Sequence, residues 1–218
     1  DSNTDLITLF RTLKEEGRSF IEYCRTLFTE AANQKEVFYE RRQYFNEAKD
    51  SRERSAYFVY LNRHSYNGLC RYNLKHQFNA PFGRYKKVYF PEHELRAFHL
   101  KSARAEFLCA DFREVLQGAR PGDVVYCDPP YVPLSETSNF TSYGSSVFGL
   151  DQQRLLAELA EGLSERGIPV LISNHDTPFT QLAYKRASLS SFEVRRSISC
   201  KADQRGRVKE VLALFEGD

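Results

Sequence analysis

The 218 residues are 41% hydrophobic and include 17 Phe and 13 Tyr, enough for a well-buried core and too many for a disordered chain. Formal net charge is only +2, there is no Met, residue 1 is Asp, and no apolar run approaches the roughly 20 residues that span a bilayer. A membrane-spanning chain is excluded; a soluble protein of one large domain or one and a half is expected, with a further segment preceding Asp1.

In chain order, the first sixty residues read as helices. Leu6, Leu9, Phe10 and Leu13 share one face, Phe20, Tyr23, Cys24, Leu27 and Phe28 a second, and Val37, Phe38, Arg41 and Phe45 a third. Ser51 is placed as the N-cap of a fourth helix carrying Tyr57, Phe58 and Leu61. Between Arg63 and Phe90 the residues Gly68, Pro81 and Gly83 break the period and predict a hairpin or a loop-rich insert. Pro91 is placed at the first position of the next helix. Beyond it, short apolar strands are predicted at 106–109, 124–127, 170–173, 192–195 and 208–215. Helices are predicted between them at 112–117, 151–166 and 178–186, the last capped by Thr177. This alternation predicts an α/β fold: a mainly parallel sheet covered on both faces, closing with two successive strands and binding ligands at the carboxyl ends of its strands.

The five Cys stand at 24, 70, 109, 127 and 200, an odd number with no metal-finger spacing. Free thiols in a reducing, cytoplasmic compartment are expected, with no disulfide scaffold and no metal site.

The small net charge hides an asymmetry. From Arg54 to Pro91 there is no Asp or Glu, while Arg54, Arg63, Arg71, Lys75, Arg84, Lys86 and Lys87 supply seven positive charges, leaving −5 for the rest. Ten aromatic residues from Tyr57 to Phe90 interleave with them, as do Asn62, Asn67, Asn73, Gln77 and Asn79. Cations bind phosphate, amides read base edges, and rings stack on or wedge between bases, so the mixture suits a nucleic-acid surface. A solvated basic face over an aromatic core is the plainer alternative.

The strand ending at Cys127 runs directly into Asp128-Pro129-Pro130-Tyr131. Two prolines lock the backbone and remove two N–H donors, leaving carbonyls that only accept hydrogen bonds. With the Asp128 carboxylate they form a cradle for an NH₂ group, and Tyr131 adds a flat face for the ring that bears it, as for a base taken out of its helix. A strand-ending turn capped by Asp is the structural alternative. His175-Asp176 suggests a general base, but its place before Thr177-Pro178 is better explained as a helix-start turn.

Asp128-Pro129-Pro130-Tyr131 resembles the catalytic motif of S-adenosylmethionine-dependent amino-methyltransferases, particularly the DNA adenine-N6 type. Residues 66–73 and 79–87 resemble the DNA-recognition hairpin of the Dam family, whose target is GATC, and residues 168–177 and 194–199 resemble that family's later segments. The resemblance implies a class I methyltransferase sheet, its last strand antiparallel, with an inserted helical and β-hairpin DNA-recognition domain. The catalytic domain would comprise 1–8 and 91–218, and the recognition domain 9–90 with its hairpin at about 63–90. It further implies S-adenosylmethionine as methyl donor, double-stranded DNA containing GATC as partner, no metal, a monomer, and a bacterial or phage-encoded cytoplasmic, nucleoid-associated enzyme.

By position, the resemblance assigns Asp1 to the ribose hydroxyls of the cofactor, Asp111 and Phe112 to its adenine side, and Asp128 to a bridge between cofactor and target amine. It gives Arg71 the guanine of GATC, Leu69 and Pro81 the outer thymine methyl, and Arg84 a further base pair. Tyr66 and Asn67 would fill the gap left by the flipped adenine, and Arg63, Asn73, Tyr85 and Lys86 would contact the DNA backbone or support the hairpin. Asp111 is equally a cap for the helix that follows, and Leu69 a core residue. The implied chemistry is hydrogen bonding of the adenine N6 amine to Asp128 and to the Pro129 carbonyl, with Tyr131 stacked on the base. The loop 133–149 would close over the pocket or be a plain surface loop.

One departure stands out: the family's Phe-x-Gly-x-Gly type of cofactor loop and first sheet strand lie before the region matched here, so the chain is expected to enter just after that loop. Alternatives to a GATC adenine methyltransferase are the modification enzyme of a restriction system, an RNA or protein amino-methyltransferase, and a non-catalytic DNA-binding fragment.

Overall fold

A computed structural model describes residues 1–134, 148–195 and 207–217, and the chain divides into two compact units. The first, Asp1–Ala110, is helical: α1 (Thr4–Glu16), α2 (Arg18–Thr26), α3 (Lys35–Glu47), α4 (Ser51–His64) and α5 (Glu92–Lys101). Local chemistry sets the boundaries. Asn3 caps α1 by accepting hydrogen bonds from the Asp5 and Leu6 amides, and Gly17, at φ 51°, takes the left-handed turn that separates α1 from α2. Asp50, not Ser51, caps α4, because its carboxylate accepts from the Glu53 amide at 2.8 Å. Pro91 stands one place before its expected position, as the N-cap of α5, with its carbonyl accepting from Leu95. The apolar stripes converge on one core that includes Leu9, Leu13, Phe20, Cys24, Phe38, Phe45, Phe58 and Tyr60.

The segment 64–83 is rooted in that core by Phe78, which is buried against Phe45 and Phe58. Asn46 of α3 holds both backbone groups of Phe78, at 2.8 and 3.2 Å. Burying one Phe in this way contributes about 1.5–3 kcal/mol, which fixes a limb that has little regular pairing of its own. That pairing consists of isolated bridges, Ser65 with Phe82 and Tyr72 with Phe78, around a tip at 73–77: an irregular hairpin rather than a strand ladder.

The second unit, from Asp111 onward, is α/β. It contains α6 (Phe112–Gln117), β1 (Val125–Cys127), α7 (Leu150–Ser164), β2 (Val170–His175), α8 (Pro178–Ala183), β3 (Ser188–Arg195) and β4 (Arg207–Phe215). The sheet is mixed, in the order β1-β2-β4-β3: β1 and β2 are parallel, and β4 is antiparallel to both neighbours. The last strand is therefore antiparallel as expected, but by inserting between β2 and β3 it leaves a single parallel ladder among the described residues. Val170, Ile172, Ala213 and Phe215 are buried with Leu156, Ala160 and Leu163 of α7.

Three expectations need correction. Residues 106–109 join no sheet among the described residues; the Asp1 backbone bonds the Leu108 carbonyl and the Ala110 amide at 3.3 and 3.2 Å. Strand β2 runs on to His175, so Asn174 and His175 belong to the sheet and not to a helix-start turn, while Thr177 does cap α8, through a capping box with Thr180. Strand β3 starts at Ser188 rather than 192. Most of the 133–149 loop and residues 196–199 of the later matched segment lie outside the described residues.

Candidate functional site

Strands β1 and β2 pair in parallel with Cys127 opposite Ile172, so both end at the same edge and Asp128 emerges beside Ser173. The Ser173 hydroxyl donates to Asp128 Oδ1 at 2.8 Å, and the Tyr126 hydroxyl donates to Ser173 Oγ at 3.1 Å. Asp128 is exposed, with its carboxylate aimed by a hydroxyl rather than neutralised by a cation: no Arg or Lys pairs with it among the described residues. Tyr131 is half-buried and lies edge-on to the His175 ring, with centroids 5.0 Å apart. Burial pushes the Tyr131 phenol above its usual range, so it stays neutral and fit for stacking.

The backbone after the two prolines is held by buried side chains. Gln153 of α7 donates to the Pro130 carbonyl at 2.6 Å, and the Val132 amide donates to Asn174 Oδ1 at 2.9 Å. His175 Nδ1 lies 2.6 Å from the Val132 carbonyl, which requires the Nδ1–H form as donor. His175 is buried and clamps the Val132 carbonyl. The Pro129 carbonyl takes no hydrogen bond among the described residues.

At the start of α6, Asp111 accepts from the Arg113 amide at 2.9 Å and pairs with the Arg113 guanidinium at 2.8 and 2.7 Å. The Arg113 guanidinium, then its amide, hold the Asp111 carboxyl down at about 2. The capping alternative is thus fulfilled, and about one of its four acceptor positions is left. Phe112 packs edge-on against Phe148 with centroids 5.3 Å apart. In the first unit, one Asp1 carboxylate oxygen accepts from the Asn3 amide at 2.7 Å.

On the hairpin, Arg63, Tyr66, Asn67, Leu69, Arg71, Arg84, Tyr85 and Lys86 are exposed, and Asn73 and Pro81 are half-buried. Leu69 is therefore not a core residue. Asn73 is hairpin support: its side chain accepts from the Lys75 and Gln77 amides and closes the tip. Tyr85 braces the opposite end, its hydroxyl donating to the Ser65 carbonyl at 3.2 Å. Arg63 lies over the Tyr89 ring and donates to the Tyr89 carbonyl. Asn67 and Arg84 hold positive φ, 51° and 54°. Asn tolerates that region, whereas for Arg it costs about 1 kcal/mol or more, strain confined to the segment expected to meet DNA.

Arg71 has a partner that sequence pattern does not announce. Its Nε and Nη2 donate to the Asn79 side-chain and backbone oxygens at 2.9 and 3.0 Å. This occupies the side-on edge of the guanidinium and leaves the Nη1/Nη2 fork for a planar two-acceptor ligand. Arg54 must be removed from the basic set, because it pairs with Asp5 at 2.6 Å; the Tyr72 hydroxyl bonds the same carboxylate at 2.7 Å. The other six basic residues are exposed.

Ser173, Gln153 and Tyr184 are likewise site residues that sequence reasoning missed. Gln153 did carry a signal: it lies on the same helical face as Leu156, Ala157, Ala160 and Leu163, a polar residue at a buried position.

Residues 1–198 match the family model of the D12 class N6 adenine-specific DNA methyltransferases. A DNA adenine methylase of Escherichia coli K12 is 51% identical over 216 residues, covering 99% of this chain and 78% of that protein. Those of Salmonella typhi and Haemophilus influenzae are 49% and 48% identical, with 99% of this chain covered and 78% and 76% of theirs. No helix among the described residues is long and apolar enough to cross a membrane, and none of their His, Cys, Asp and Glu side chains group as a metal site. A match that runs through both the hairpin and the Asp128 strand end makes this chain a member of the D12 class of N6 adenine-specific DNA methyltransferases.

Proposed function

We propose that the protein transfers the methyl group of S-adenosylmethionine to N6 of an adenine flipped out of double-stranded GATC, with Asp128, Pro129, Pro130 and Tyr131 at the reacting centre. The observation that carries this reading is the Asp128 carboxylate, exposed at the shared end of two parallel strands and aimed by Ser173. An exocyclic amine is a weak nucleophile because its lone pair is delocalised into the ring. Asp128 accepts one N6 hydrogen and the Pro129 carbonyl the other, which favours a tetrahedral nitrogen with its lone pair directed out of the ring plane. Tyr131 stacks on the base and keeps water from that face. Positioning and electrostatics do the work, without a covalent enzyme intermediate.

The residues present fit the cofactor: the remaining acceptor position of Asp111 suits an exocyclic amine, and the Phe112–Phe148 pair offers an apolar face for its ring. When bound, S-adenosylmethionine supplies an electrophilic methyl group. Asp1 is assigned to its ribose hydroxyls on the resemblance alone. The sheet order, with an antiparallel last strand inside it, is consistent with a class I methyltransferase arrangement. We assign methyl transfer to 1–8 and 91–218 and target recognition to 9–90.

In recognition, the Arg71 fork reads guanine, Leu69 and Pro81 contact the outer thymine methyl, and Arg84 reads a further pair. Tyr66 and Asn67 occupy the gap left by the flipped base, Arg63 and Lys86 contact phosphate, and Asn73 and Tyr85 hold the hairpin. The enzyme is read as a monomer of the bacterial cytoplasm and nucleoid, serving mismatch-repair strand marking, replication control and gene regulation. The test is to express it in a bacterial strain lacking GATC methylation. Plasmid from these cells is expected to resist a nuclease that cuts only unmethylated GATC; cleavage undiminished despite soluble protein would overturn the reading.

A further inference from the structure

Three side chains with no part in the chemistry just described hold the segment that performs it. Gln153, Asn174 and Tyr184 are each completely buried. Asn174 Nδ2 donates to Gln153 Oε1 and to the Tyr184 hydroxyl, both at 3.0 Å, and its Oδ1 accepts from the Val132 and His175 amides at 2.9 Å. The Tyr184 hydroxyl in turn points at Gln153 Oε1, at 3.4 Å. All four hydrogen-bonding positions of Asn174 are used, and Gln153 still has its amide for the Pro130 carbonyl at 2.6 Å.

Such a network is costly to bury unless complete, and an apolar trio of similar volume would fill the same space. What the polar version adds is direction. It grips the backbone on the far side of both prolines, at Pro130 and Val132, and the prolines transmit that grip because their φ angles are locked.

We propose that Gln153, Asn174 and Tyr184 are positioning residues for methyl transfer: they fix where the Pro129 carbonyl and the Asp128 carboxylate stand relative to the target amine, and so act on the chemical step rather than on binding. The inference rests on the placing of Asp128 and Pro129 at the reacting centre.

The test is single-turnover methylation of a GATC duplex by the full-length protein, with duplex and cofactor affinities measured separately and all variants held well below their unfolding temperatures. Gln153→Met keeps the volume and removes the hydrogen bonds to Pro130, Asn174 and Tyr184. Its methylation rate constant is expected to fall about 10²-fold, while both dissociation constants stay within about threefold, as for a misplacement of the order of 1 Å at a reacting group. Tyr184→Phe removes only the hydroxyl and is expected to fall about tenfold with affinities unchanged. It decides the matter alone should Gln153→Met not fold. An unchanged rate constant in a folded variant, or a loss carried wholly by the dissociation constants, overturns the proposal. Asp128→Asn separates the two claims: if it keeps its rate, the reading of the reacting centre fails; if it is inactive while Tyr184→Phe and Gln153→Met are not slowed, only the positioning role fails.

Discussion

Replacing Arg71 by Ala removes the side chain assigned to guanine while leaving its scaffold in place. Phe78 and the Asn46 clamp anchor the limb independently of Arg71, so the fold should survive. The Nη1/Nη2 fork offers two parallel N–H groups, and loss of such a bidentate contact costs about 1–3 kcal/mol, or roughly 5- to 150-fold in affinity. The loss should fall on the cognate site and not on a duplex whose guanine is already replaced. Asn79→Ala should reproduce part of it: one of the two anchors is removed, and ordering a free arginine side chain costs about 1–2 kcal/mol in full, so a penalty of about 1 kcal/mol is expected. Fluorescence titration of GATC and substituted duplexes at one fixed salt concentration measures both. If Arg71→Ala weakens cognate and substituted duplexes equally, Arg71 binds phosphate and the assignment is wrong.

Lys86→Ala should do what Arg71→Ala does not: weaken all duplexes alike and flatten the plot of log affinity against log salt by about 0.9 for each phosphate that Lys86 neutralises. Gly83→Ala would place a methyl 2.3 Å from the Tyr85 ring and 2.9 Å from the Ser65 carbonyl, expelling the ring from its brace; a loss of about 1–3 kcal/mol by denaturant unfolding is expected, with weaker DNA binding. His64, the last residue of α4, is buried and stacked on Tyr60. Burial, aided by Arg41 and Arg63, outweighs its bond to the Tyr60 carbonyl and lowers it to about 4. Since the unfolded chain binds the proton first, stability is constant above about pH 6.5 and falls as pH drops toward 4, by about 3 kcal/mol in all. His64→Gln should flatten that part of the stability profile.

Periodicity placed the helices well because each apolar stripe answers to one core, and Phe20, Phe38 and Phe45 are all buried in it. It misplaced 106–109 because an apolar run predicts an extended segment but not a neighbour to pair with, and here the neighbour is the backbone of Asp1. Hydrogen bonding displaced the cap from Ser51 to Asp50, a competition between adjacent good caps that sequence pattern does not resolve. The strand-end motif was legible as a place in the fold, since an apolar run followed by Asp and two prolines marks where a strand stops, and β1 ends at Cys127. Its support was not: Gln153, Ser173 and Tyr184 come from 20 or more residues away, brought in by the parallel pairing of β1 with β2 and the packing of α7. The charge count overstated the basic face for a similar reason, as Arg54 finds its partner at Asp5, 49 residues distant.

The central claim, that Asp128 and its neighbours methylate N6 of adenine in GATC, is tested most directly with purified protein, S-adenosylmethionine labelled in its methyl group, and paired duplexes with and without a single GATC. Label is expected in N6-methyladenine of the GATC duplex alone, and none with Asp128→Asn. Equal labelling of both duplexes, label in another base, or full activity in Asp128→Asn would contradict it.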